Sequence, residues 1–481
     1  MNLANVVRIN ASNHGHKPAI LYQDQCVSYA ELWRGIESIA AFLRDEGVER
    51  GDRVGLSMRD HPLHLIAHFS VARLGAVIIP IDHRWTENEK RTAAGAFHTK
   101  LVLTDGDDID SIACATLDES VLNSQGDALT DINNFEDGDV DVLVSLSSGS
   151  TGKPKGSLVT HRNLYERFVS QWAAIGYDAR DCFAILTPLF FGAGRSFAMS
   201  LLAVGGTVRL APPPLKPPEI IEVLQSDDVT ATFLPPTLLR RLFEFHSAGD
   251  PPLLANLDYL IVSGEPLYAD EALDVLTAIC PNLYSYYASS EGGGISVLPA
   301  CDFREFAATV GIPTFRTDVQ IVDDQDKELG TNEVGRLRYR GPGVATRMID
   351  SGGIEKEAGV GGWFYPGDLA ERLPSGHIAL RGRDKDVIIR GGVNIYPAEI
   401  EAVLLTHGDI VEAAVVGKDD SDRGQVVSAF LASAKRLSTE DLDAWCRSML
   451  APYKVPGEFH VMDSLPKRAS GKVDKKALQS L

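Results

Sequence analysis

A ten-residue segment rich in glycine and hydroxyl side chains, residues 147–156, offers the clearest chemistry in the sequence. It reads Ser-Ser-Gly-Ser-Thr-Gly-Lys-Pro-Lys-Gly and follows an apolar run at residues 142–146. Its backbone N–H groups, hydroxyls and two lysines suit a polyphosphate. It is not a Walker A loop, because its first two glycines are too close together and Pro154 stands where a Mg-binding Ser or Thr is required. We therefore predict a phosphate-binding loop, with a flexible polar linker as the alternative.

Asp368 and Arg383 form a second candidate pair. Alternating runs at residues 369–373 and 377–381 flank a Pro-Ser-Gly turn at residues 374–376, a pattern typical of a β-hairpin. Such a hairpin places the two side chains opposite each other. A carboxylate that accepts hydrogen bonds from two vicinal hydroxyls suits a ribose, whereas a simple cross-strand ion pair is the alternative.

The elements expected to position these residues begin with an α/β pattern. Apolar residues at helical spacing over 29–47 precede short buried strands at 54–56 and 76–80, an alternation typical of an α/β fold. We predict a large N-terminal domain of stacked α/β sheets with parallel strands over residues 1–384. The helix after the glycine-rich loop is expected to be capped by Thr160. Further strands are predicted at residues 142–146, 183–186, 207–210, 231–234 and 260–262.

A smaller version of this pattern follows residue 382. It contains a helix that opens at Pro397 and a helix that starts at Thr439, with Ser438 as its expected cap. We predict a small α+β domain over residues 385–481. Its strands are expected at residues 387–389, 411–416 and 426–431.

Composition excludes several classes of partner. The 481 residues carry 66 acidic and 46 basic side chains, a formal net charge of -20, so neither a nucleic acid nor an anionic membrane is expected as the main partner. The six cysteines lie far apart without a C-x-x-C pair, which argues against a disulfide framework or a zinc site. The sequence has no apolar signal segment and no bilayer-spanning stretch. We predict a soluble protein of the reducing cytoplasm.

Five motifs along the chain resemble those of the adenylate-forming superfamily, which comprises acyl-CoA synthetases, adenylation domains and luciferases. The glycine-rich loop resembles its signature loop, and the other motifs follow in the superfamily's order. With Tyr29-Ala-Glu-Leu and Leu74-Gly-Ala near the start, the resemblance spans nearly the whole chain. The further motifs are Tyr-Ala-Ser-Ser-Glu at 287–291, Gly-Trp-Phe-Tyr-Pro-Gly-Asp at 362–368, Gly-Arg-Asp-Lys-Asp at 382–386 with the segment 391–401, and Ser-Gly-Lys at 470–472.

This resemblance implies an AMP-forming acid–thiol ligase, an acyl-CoA synthetase. Such an enzyme uses ATP and Mg²⁺ to convert a small-molecule carboxylic acid into its acyl-adenylate, and coenzyme A is the co-substrate that accepts the acyl group. Two alternatives remain open: a stand-alone adenylation enzyme that loads the pantetheine thiol of a carrier protein, and a non-catalytic nucleotide-binding protein. A homodimer is left open as well.

The resemblance assigns phosphate, metal and adenine contacts to two of the motifs. Charge gathers on the α-phosphate during adenylation, so catalysis depends mainly on positioning and electrostatic stabilisation. Ser290 is expected to contact the phosphates, Glu291 to coordinate Mg²⁺ and Tyr287 to stack on adenine. The residues expected to hold the β- and γ-phosphates are Ser147, Ser148, Gly149, Ser150, Thr151, Gly152, Lys153 and Lys155.

The C-terminal motifs are expected to complete adenylation and to permit thiol transfer. The resemblance assigns Asp368 and Arg383 to the ribose, and it makes Lys472 the residue that bridges the substrate carboxylate and the α-phosphate. Lys472, Glu291 and Ser290 are thus the candidate catalytic residues. Lys385 occupies the hinge position about which the small, mobile lid domain rotates. Two adjacent glycines are expected to line the tunnel for the CoA thiol, with a tight turn as the alternative; they are Gly391 and Gly392.

The segment at residues 188–194 resembles an acyl-pocket segment of the superfamily. Phe191 stands where many acyl-CoA synthetases have histidine, and Ala288 stands where the Tyr287 motif normally has glycine. No acidic residue occurs at 190–197, so an uncharged acyl or aryl chain is favoured over an amino acid. Arg195 is expected to face solvent, and pairing with a second carboxylate is the alternative. The predicted pocket residues are Phe190, Phe191, Ala193, Gly264, Ala288 and Gly292.

Overall fold

A computed structural model of the chain divides into two compact units. The first unit comprises Met1–Val319 with Tyr339–Phe364, and the second comprises Gln320–Arg338 with Tyr365–Leu481. The structure describes residues 1–106, 109, 112–118, 120–121, 138–147, 154–390, 393–420, 424–433, 435, 437–467 and 472–481.

The first unit contains a nine-stranded sheet with a parallel centre. Its strands are β1 (Pro18–Tyr22), β2 (Gln25–Ser28), β9 (Cys182–Ile185), β10 (Thr207–Leu210), β11 (Ala231–Leu234), β12 (Tyr259–Val262), β13 (Leu283–Ser289), β14 (Gly293–Leu298) and β15 (Ile312–Pro313). Their order is β15-β14-β13-β12-β11-β9-β10-β1-β2. Strands β13, β12, β11, β9, β10 and β1 pair in parallel, whereas β14, β15 and β2 are antiparallel to their neighbours.

An eight-stranded sheet in the same unit carries the glycine-rich loop. Its strands are β3 (Arg53–Ser57), β4 (Val77–Pro80), β5 (Leu101–Thr104), β6 (Cys114–Thr116), β7 (Asp141–Ser147), β8 (Lys155–Thr160), β18 (Arg347–Ile349) and β19 (Glu355–Glu357), in the order β19-β18-β8-β7-β4-β3-β5-β6. The strands from β7 to β6 are parallel, whereas β8, β18 and β19 are antiparallel. The prediction of parallel strands is therefore correct for the sheet centres and for the β6 edge, and wrong for β2, β14 and β15 of the nine-stranded sheet and for β8, β18 and β19 of the eight-stranded sheet.

Ten helices are described in the first unit. They are α1 (Ala4–His14), α2 (Tyr29–Asp45), α3 (Pro62–Arg73), α4 (Glu87–Ala96), α5 (His161–Ile175), α6 (Gly192–Val204), α7 (Pro217–Leu224), α8 (Pro236–Arg240), α9 (Ala269–Asp274) and α10 (Phe303–Phe306). The predicted cap of α5 is confirmed, because the Thr160 hydroxyl accepts from the backbone N–H of Asn163 at 3.1 Å. One buried apolar cluster joins both sheets, with Ile36 of α2 and Phe69 of α3 packed among strand residues such as Leu56 and Phe183.

Most of a four-stranded sheet belongs to the second unit. Its strands are β16 (Asp318–Val322), β17 (Gly335–Arg340), β20 (Asp368–Arg372) and β21 (Ile378–Arg383). The pair β20 and β21 is the hairpin that the sequence predicted, and it places Asp368 opposite Arg383.

A five-stranded sheet with three helices completes the second unit. Its elements are β22 (Ile388–Arg390), β23 (Val393–Ile395), α11 (Pro397–Leu405), β24 (Glu412–Asp420), β25 (Gly424–Ala432), α12 (Thr439–Met449), β26 (Glu458–Met462) and α13 (Lys475–Gln479). The predicted cap of α12 is confirmed, since the Ser438 hydroxyl accepts from the Asp441 N–H at 3.0 Å.

Both faces of the five-stranded sheet are covered by apolar side chains. Val415 of β24 packs with Leu404 of α11 and Leu442 of α12, whereas Val416 and Phe430 pack with Leu478 of α13 on the other face. The alternation follows from the two-residue period of a strand. Across the parts of the chain that the structure describes, no helix has both the length and the apolar character needed to cross a membrane.

Candidate active site

The glycine-rich loop connects two antiparallel strands. Ser147 ends β7 and Lys155 begins β8, and the two residues pair across the ladder. Gly156 lies so close to β7 that an added Cβ would stand 2.5 Å from Val144 Cγ1 and 2.9 Å from the Ser145 carbonyl oxygen. The close approach of the strands therefore requires glycine at this position. The predicted phosphate contacts of Ser148, Gly149, Ser150, Thr151, Gly152 and Lys153 lie outside the described residues.

The motif that contains Glu291 forms the turn between β13 and β14. The ladder slips between Tyr287 and Ala288, and the Ser289 hydroxyl accepts from the Gly292 N–H at 3.1 Å and contacts the Tyr339 hydroxyl. A Cβ at Gly292 would stand 2.4 Å from the Tyr339 hydroxyl oxygen. Gly292 is thus needed for the turn to pack on Tyr339.

A buried arginine supports this turn through hydrogen bonds to backbone carbonyl oxygens. The sequence did not lead us to predict this residue. Arg167 of α5 is 6% exposed, and its guanidinium donates to the carbonyl oxygens of Gly343 at 2.8 Å, Ser290 at 3.3 Å and Glu291. Burial lowers the pKa of Arg167, and nearby Tyr339, Glu291 and Tyr286 act in the opposite direction. The signal in the sequence is an arginine on the apolar face of α5.

The Glu291 carboxylate is available for a ligand. Its backbone oxygen is occupied by Arg167 and by the Ala345 N–H at 2.9 Å. Within the described parts of the chain, no ion pair or side-chain hydrogen bond engages the carboxylate itself. The backbone of Glu291 is therefore fixed, whereas its carboxylate has no partner in the part of the chain that the structure describes.

Replacing Arg167 by methionine is expected to lower the adenylation rate by about 10-fold or more. Methionine fills a similar volume but removes the guanidinium that donates to the carbonyl oxygens of Gly343, Ser290 and Glu291, so the turn loses its support. We also expect the free energy of unfolding to fall by about 2 kcal/mol. Pyrophosphate exchange and urea unfolding measure the two effects. The matched control is Arg162→Met on the same helix, whose side chain is exposed and paired with Asp139. A wild-type exchange rate in Arg167→Met would contradict the positioning role.

Asp368 and Arg383 form an ion pair across the β20–β21 hairpin. Arg383 Nε lies 2.9 Å from Asp368 Oδ1, and Arg383 Nη1 donates to the Pro366 carbonyl oxygen at 2.6 Å. The predicted opposition of the two side chains is confirmed, and the ion pair considered as the alternative is present. A ribose contact by either side chain stays a prediction.

The structure describes the predicted hinge residue and the last residue of the lysine motif, whereas Ser470 and Gly471 lie outside the described residues. Lys385 sits in the short 3-10 turn Asp384–Asp386. Lys472 is exposed and precedes α13, and Val473 forms an isolated β-bridge with Lys467. The movement at Lys385 and the domain boundary there stay predictions, and the proposed tunnel residues Gly391 and Gly392 lie outside the described residues.

The predicted acyl-pocket segment leads into α6. The rings of Phe190 and Phe191 are 4.2 Å apart, and Trp85 meets Phe190 edge-on at 6.4 Å. Ala193 lies in the first turn of α6, and Gly264 has a φ of +96° in the loop after β12. The structure thus groups the aromatic residues, and the use of these positions by an acyl chain stays a prediction.

The expectation that Arg195 faces solvent is wrong. Its side chain is 4% exposed. Arg195 Nη1 donates to the carbonyl oxygens of Phe190 at 2.9 Å and Leu189 at 3.3 Å. These carbonyl groups take the place of water around the guanidinium.

Comparison with known proteins identifies the family. A profile described as "AMP-binding enzyme" matches residues 7–347, and one described as "AMP-binding enzyme C-terminal domain" matches residues 399–472. The chain belongs to the AMP-binding enzyme family. The predicted resemblance to the adenylate-forming superfamily, the α/β fold with a small C-terminal domain, and the acid–thiol ligase class are confirmed.

Relatives of this family match along nearly the full chain. Feruloyl-CoA synthase of Amycolatopsis sp is 29% identical over 96% of this chain and 95% of its own length. The 2-succinylbenzoate–CoA ligase of Bacillus licheniformis is 29% identical over 95% of each. The structure of o-succinylbenzoate CoA synthetase from Bacillus subtilis with its acyl-adenylate intermediate has a TM-score of 0.87 at 25% identity, covering 99% of this chain and 98% of that chain.

Proposed function

We propose that this family member is an ATP-dependent carboxylic acid–CoA ligase in which the Ser290–Glu291 turn binds the phosphates and the metal. The observation that supports the proposal most directly is Glu291, whose backbone oxygen accepts from Arg167 and whose carboxylate has no partner among the described residues. The buried guanidinium of Arg167 holds the backbone of the Ser290–Glu291 turn in place. Such support is expected where a side chain, here the Glu291 carboxylate, must contact a ligand at a fixed position.

The residues of the turn fit Mg²⁺. This ion commonly takes one or two protein carboxylates, together with substrate phosphates and water. Glu291 supplies one such carboxylate, and within the described residues no group of three or more His, Cys, Asp or Glu side chains forms a metal cage of its own. When bound, the ion neutralises phosphate charge; Glu291 orients it.

The reaction has two steps. A carboxylate oxygen of the acid attacks the α-phosphorus of ATP, and the bond to pyrophosphate breaks to leave an acyl-adenylate. The CoA thiolate then attacks the acyl carbon, and AMP leaves. We assign Lys472 to the charge that develops in the first step and Asp368 to the ribose.

The acid is proposed to carry an aryl or alkyl chain that packs on Phe190 and Phe191. These rings are in contact, and Phe191 is 38% exposed, so apolar surface is available next to α6. The named substrates of two relatives, ferulate and 2-succinylbenzoate, support an aromatic acid.

The test is AMP release from Mg-ATP and CoA across aliphatic and aromatic acids. Acid-dependent AMP release with an equal yield of acyl-CoA is expected. Release that requires a pantetheine-bearing carrier protein instead of CoA would favour the carrier-loading alternative, and no release with any acid would refute the ligase function. Assembly as a homodimer and location in the cytoplasm stay predictions.

A further inference from the structure

A buried basic cluster lies next to the proposed acyl segment. We define it as His64 and His68 of α3 with Arg195 of α6, which are 1%, 0% and 4% exposed. The His64 and His68 rings are 4.8 Å apart. Two imidazole rings and one guanidinium are thus enclosed in the first unit, although arginine is seldom fully buried unless it is paired.

The hydrogen bonds of Arg195 leave part of its guanidinium unused. Only Nη1 is engaged, by the carbonyl oxygens of Leu189 and Phe190. Among the described residues, no acceptor binds Nε or Nη2, and no carboxylate lies within ion-pair distance of Arg195. These two donors form the edge of the guanidinium that binds a carboxylate through two parallel hydrogen bonds.

The two histidines are also incompletely bonded. His68 Nδ1 is 2.8 Å from the His64 carbonyl oxygen, to which it donates. In the part of the chain that the structure describes, His68 Nε2 and both ring nitrogens of His64 have no hydrogen-bond partner. Asp60 is the nearby carboxylate, but its Oδ1 lies 3.5 Å from His64 Nδ1 and accepts from the Leu189 N–H at 2.9 Å.

Among the described residues, the charge of Arg195 has no counter-charge within ion-pair distance. Burial lowers the pKa of Arg195 to about 10, and the nearby Arg167 adds to this. Burial, His64 and Arg195 all lower the pKa of His68 well below its usual value. The first turn of α6 is also an unfavourable place for a cation because of the helix dipole. A buried charge is costly unless a counter-charge is supplied, so the cluster suits an anionic ligand.

We propose that the buried basic cluster binds a second carboxylate of the acid, at the end remote from the carboxyl that is adenylated. The substrate class is therefore a dicarboxylic acid. The proposal rests on the proposed function, because it places the acyl chain along Phe190 and Phe191. Arg195 binds the remote carboxylate through Nε and Nη2.

Matched pairs of acids test this specificity. Adipic acid is compared with hexanoic acid, and terephthalic acid with 4-methylbenzoic acid, by AMP release with saturating Mg-ATP and CoA. We expect the wild-type enzyme to favour the dicarboxylic member of at least one pair. In Arg195→Leu, kcat/KM for that member is expected to fall by about 10²-fold or more through KM, while the monocarboxylic partner is used equally well or better.

Thermal unfolding supplies a readout that does not require turnover. Without acid, the Tm of Arg195→Leu is expected to stay close to that of the wild type, because removal of an unbalanced buried charge offsets the loss of two hydrogen bonds to carbonyl oxygens. The preferred dicarboxylic acid should raise the Tm of the wild type but not of this variant. Arg195→Gln serves as a second variant if leucine prevents folding, and Arg180→Leu, at an exposed arginine, is the control.

The outcomes separate the two proposals. Acid-dependent AMP release with equal use of monocarboxylic and dicarboxylic acids by wild type and Arg195→Leu would overturn the role of the cluster and leave the ligase function standing. If no acid yields AMP, the ligase function fails, and the Arg195-dependent rise in Tm alone then decides whether the cluster binds a dicarboxylate.

Discussion

Replacing Lys472 by alanine is expected to lower the rate of acyl-adenylate formation by about 10²–10³-fold or more, the effect of deleting one donor from a preorganised anion site. The proposed role of Lys472 is to stabilise the negative charge that develops between the acid carboxylate and the α-phosphate. The side chain is exposed, so its removal should change the Tm only slightly, because interactions of exposed charges contribute little to stability. Acid-dependent pyrophosphate exchange measures the first step directly.

A second measurement isolates that step. When the acyl-adenylate is supplied ready-made, Lys472→Ala should transfer the acyl group to CoA at nearly the wild-type rate, because the charge on the α-phosphate no longer increases. The matched control is Lys476→Ala, which removes another exposed lysine from the same segment. Pyrophosphate exchange at the wild-type rate in Lys472→Ala would contradict the proposed role of Lys472 in acyl-adenylate formation.

Replacing Lys385 by proline is expected to separate the two half-reactions. Proline fixes φ near −65°, which opposes the large backbone rotation proposed at this residue for thiol transfer. Lys385 N–H makes no hydrogen bond to a described residue, so proline removes none in this conformation. We expect adenylation to remain within about 3-fold of wild type, whereas thioester formation falls by about 10-fold or more if a rotation at this residue gates it.

Single-turnover quenching, with AMP and acyl-CoA measured separately, distinguishes the two rates. Lys385→Ala is the control, since alanine removes the ammonium group but keeps the backbone free to rotate. Equal losses in both half-reactions of the proline variant would show that it merely distorts the site. A loss of thioester formation in the alanine variant would assign the effect to the side chain rather than to the backbone.

Local features of the fold could be predicted from the sequence, because their causes lie within a few residues. The cap at Thr160, the cap at Ser438 and the hairpin that joins Asp368 to Arg383 each follow from short-range patterns, and each is found. Strand β8 was missed because its stability comes from pairing with β7 and β18, which no local pattern displays. The antiparallel edges of both sheets were missed for the same reason.

The residues of the candidate site were predicted from sequence motifs. The contacts that position these residues were not predicted. Glu291 could be identified from its motif. Arg167, in contrast, lies 124 residues away from Glu291 in the sequence, and its guanidinium donates to the backbone carbonyl oxygen of Glu291. The environment of Arg195 was likewise set by α6 and the segment before it, so a general preference of arginine for water gave the wrong expectation. Roles that depend on tertiary contacts are the ones that a linear pattern leaves unresolved.

Helix α13 has a consequence for how the Lys472 segment is anchored. Leu478 is fully buried on one face of the five-stranded sheet, and Lys475 pairs with Glu401 of α11 at 2.6 Å. The apolar contact of Leu478 and the ion pair of Lys475 thus anchor the C-terminal end of the segment that carries Lys472. If Lys472 has its proposed role, proteolytic cleavage just before this helix is expected to release the lysine segment from its anchor and to abolish acyl-adenylate formation, while the rest of the second unit stays folded.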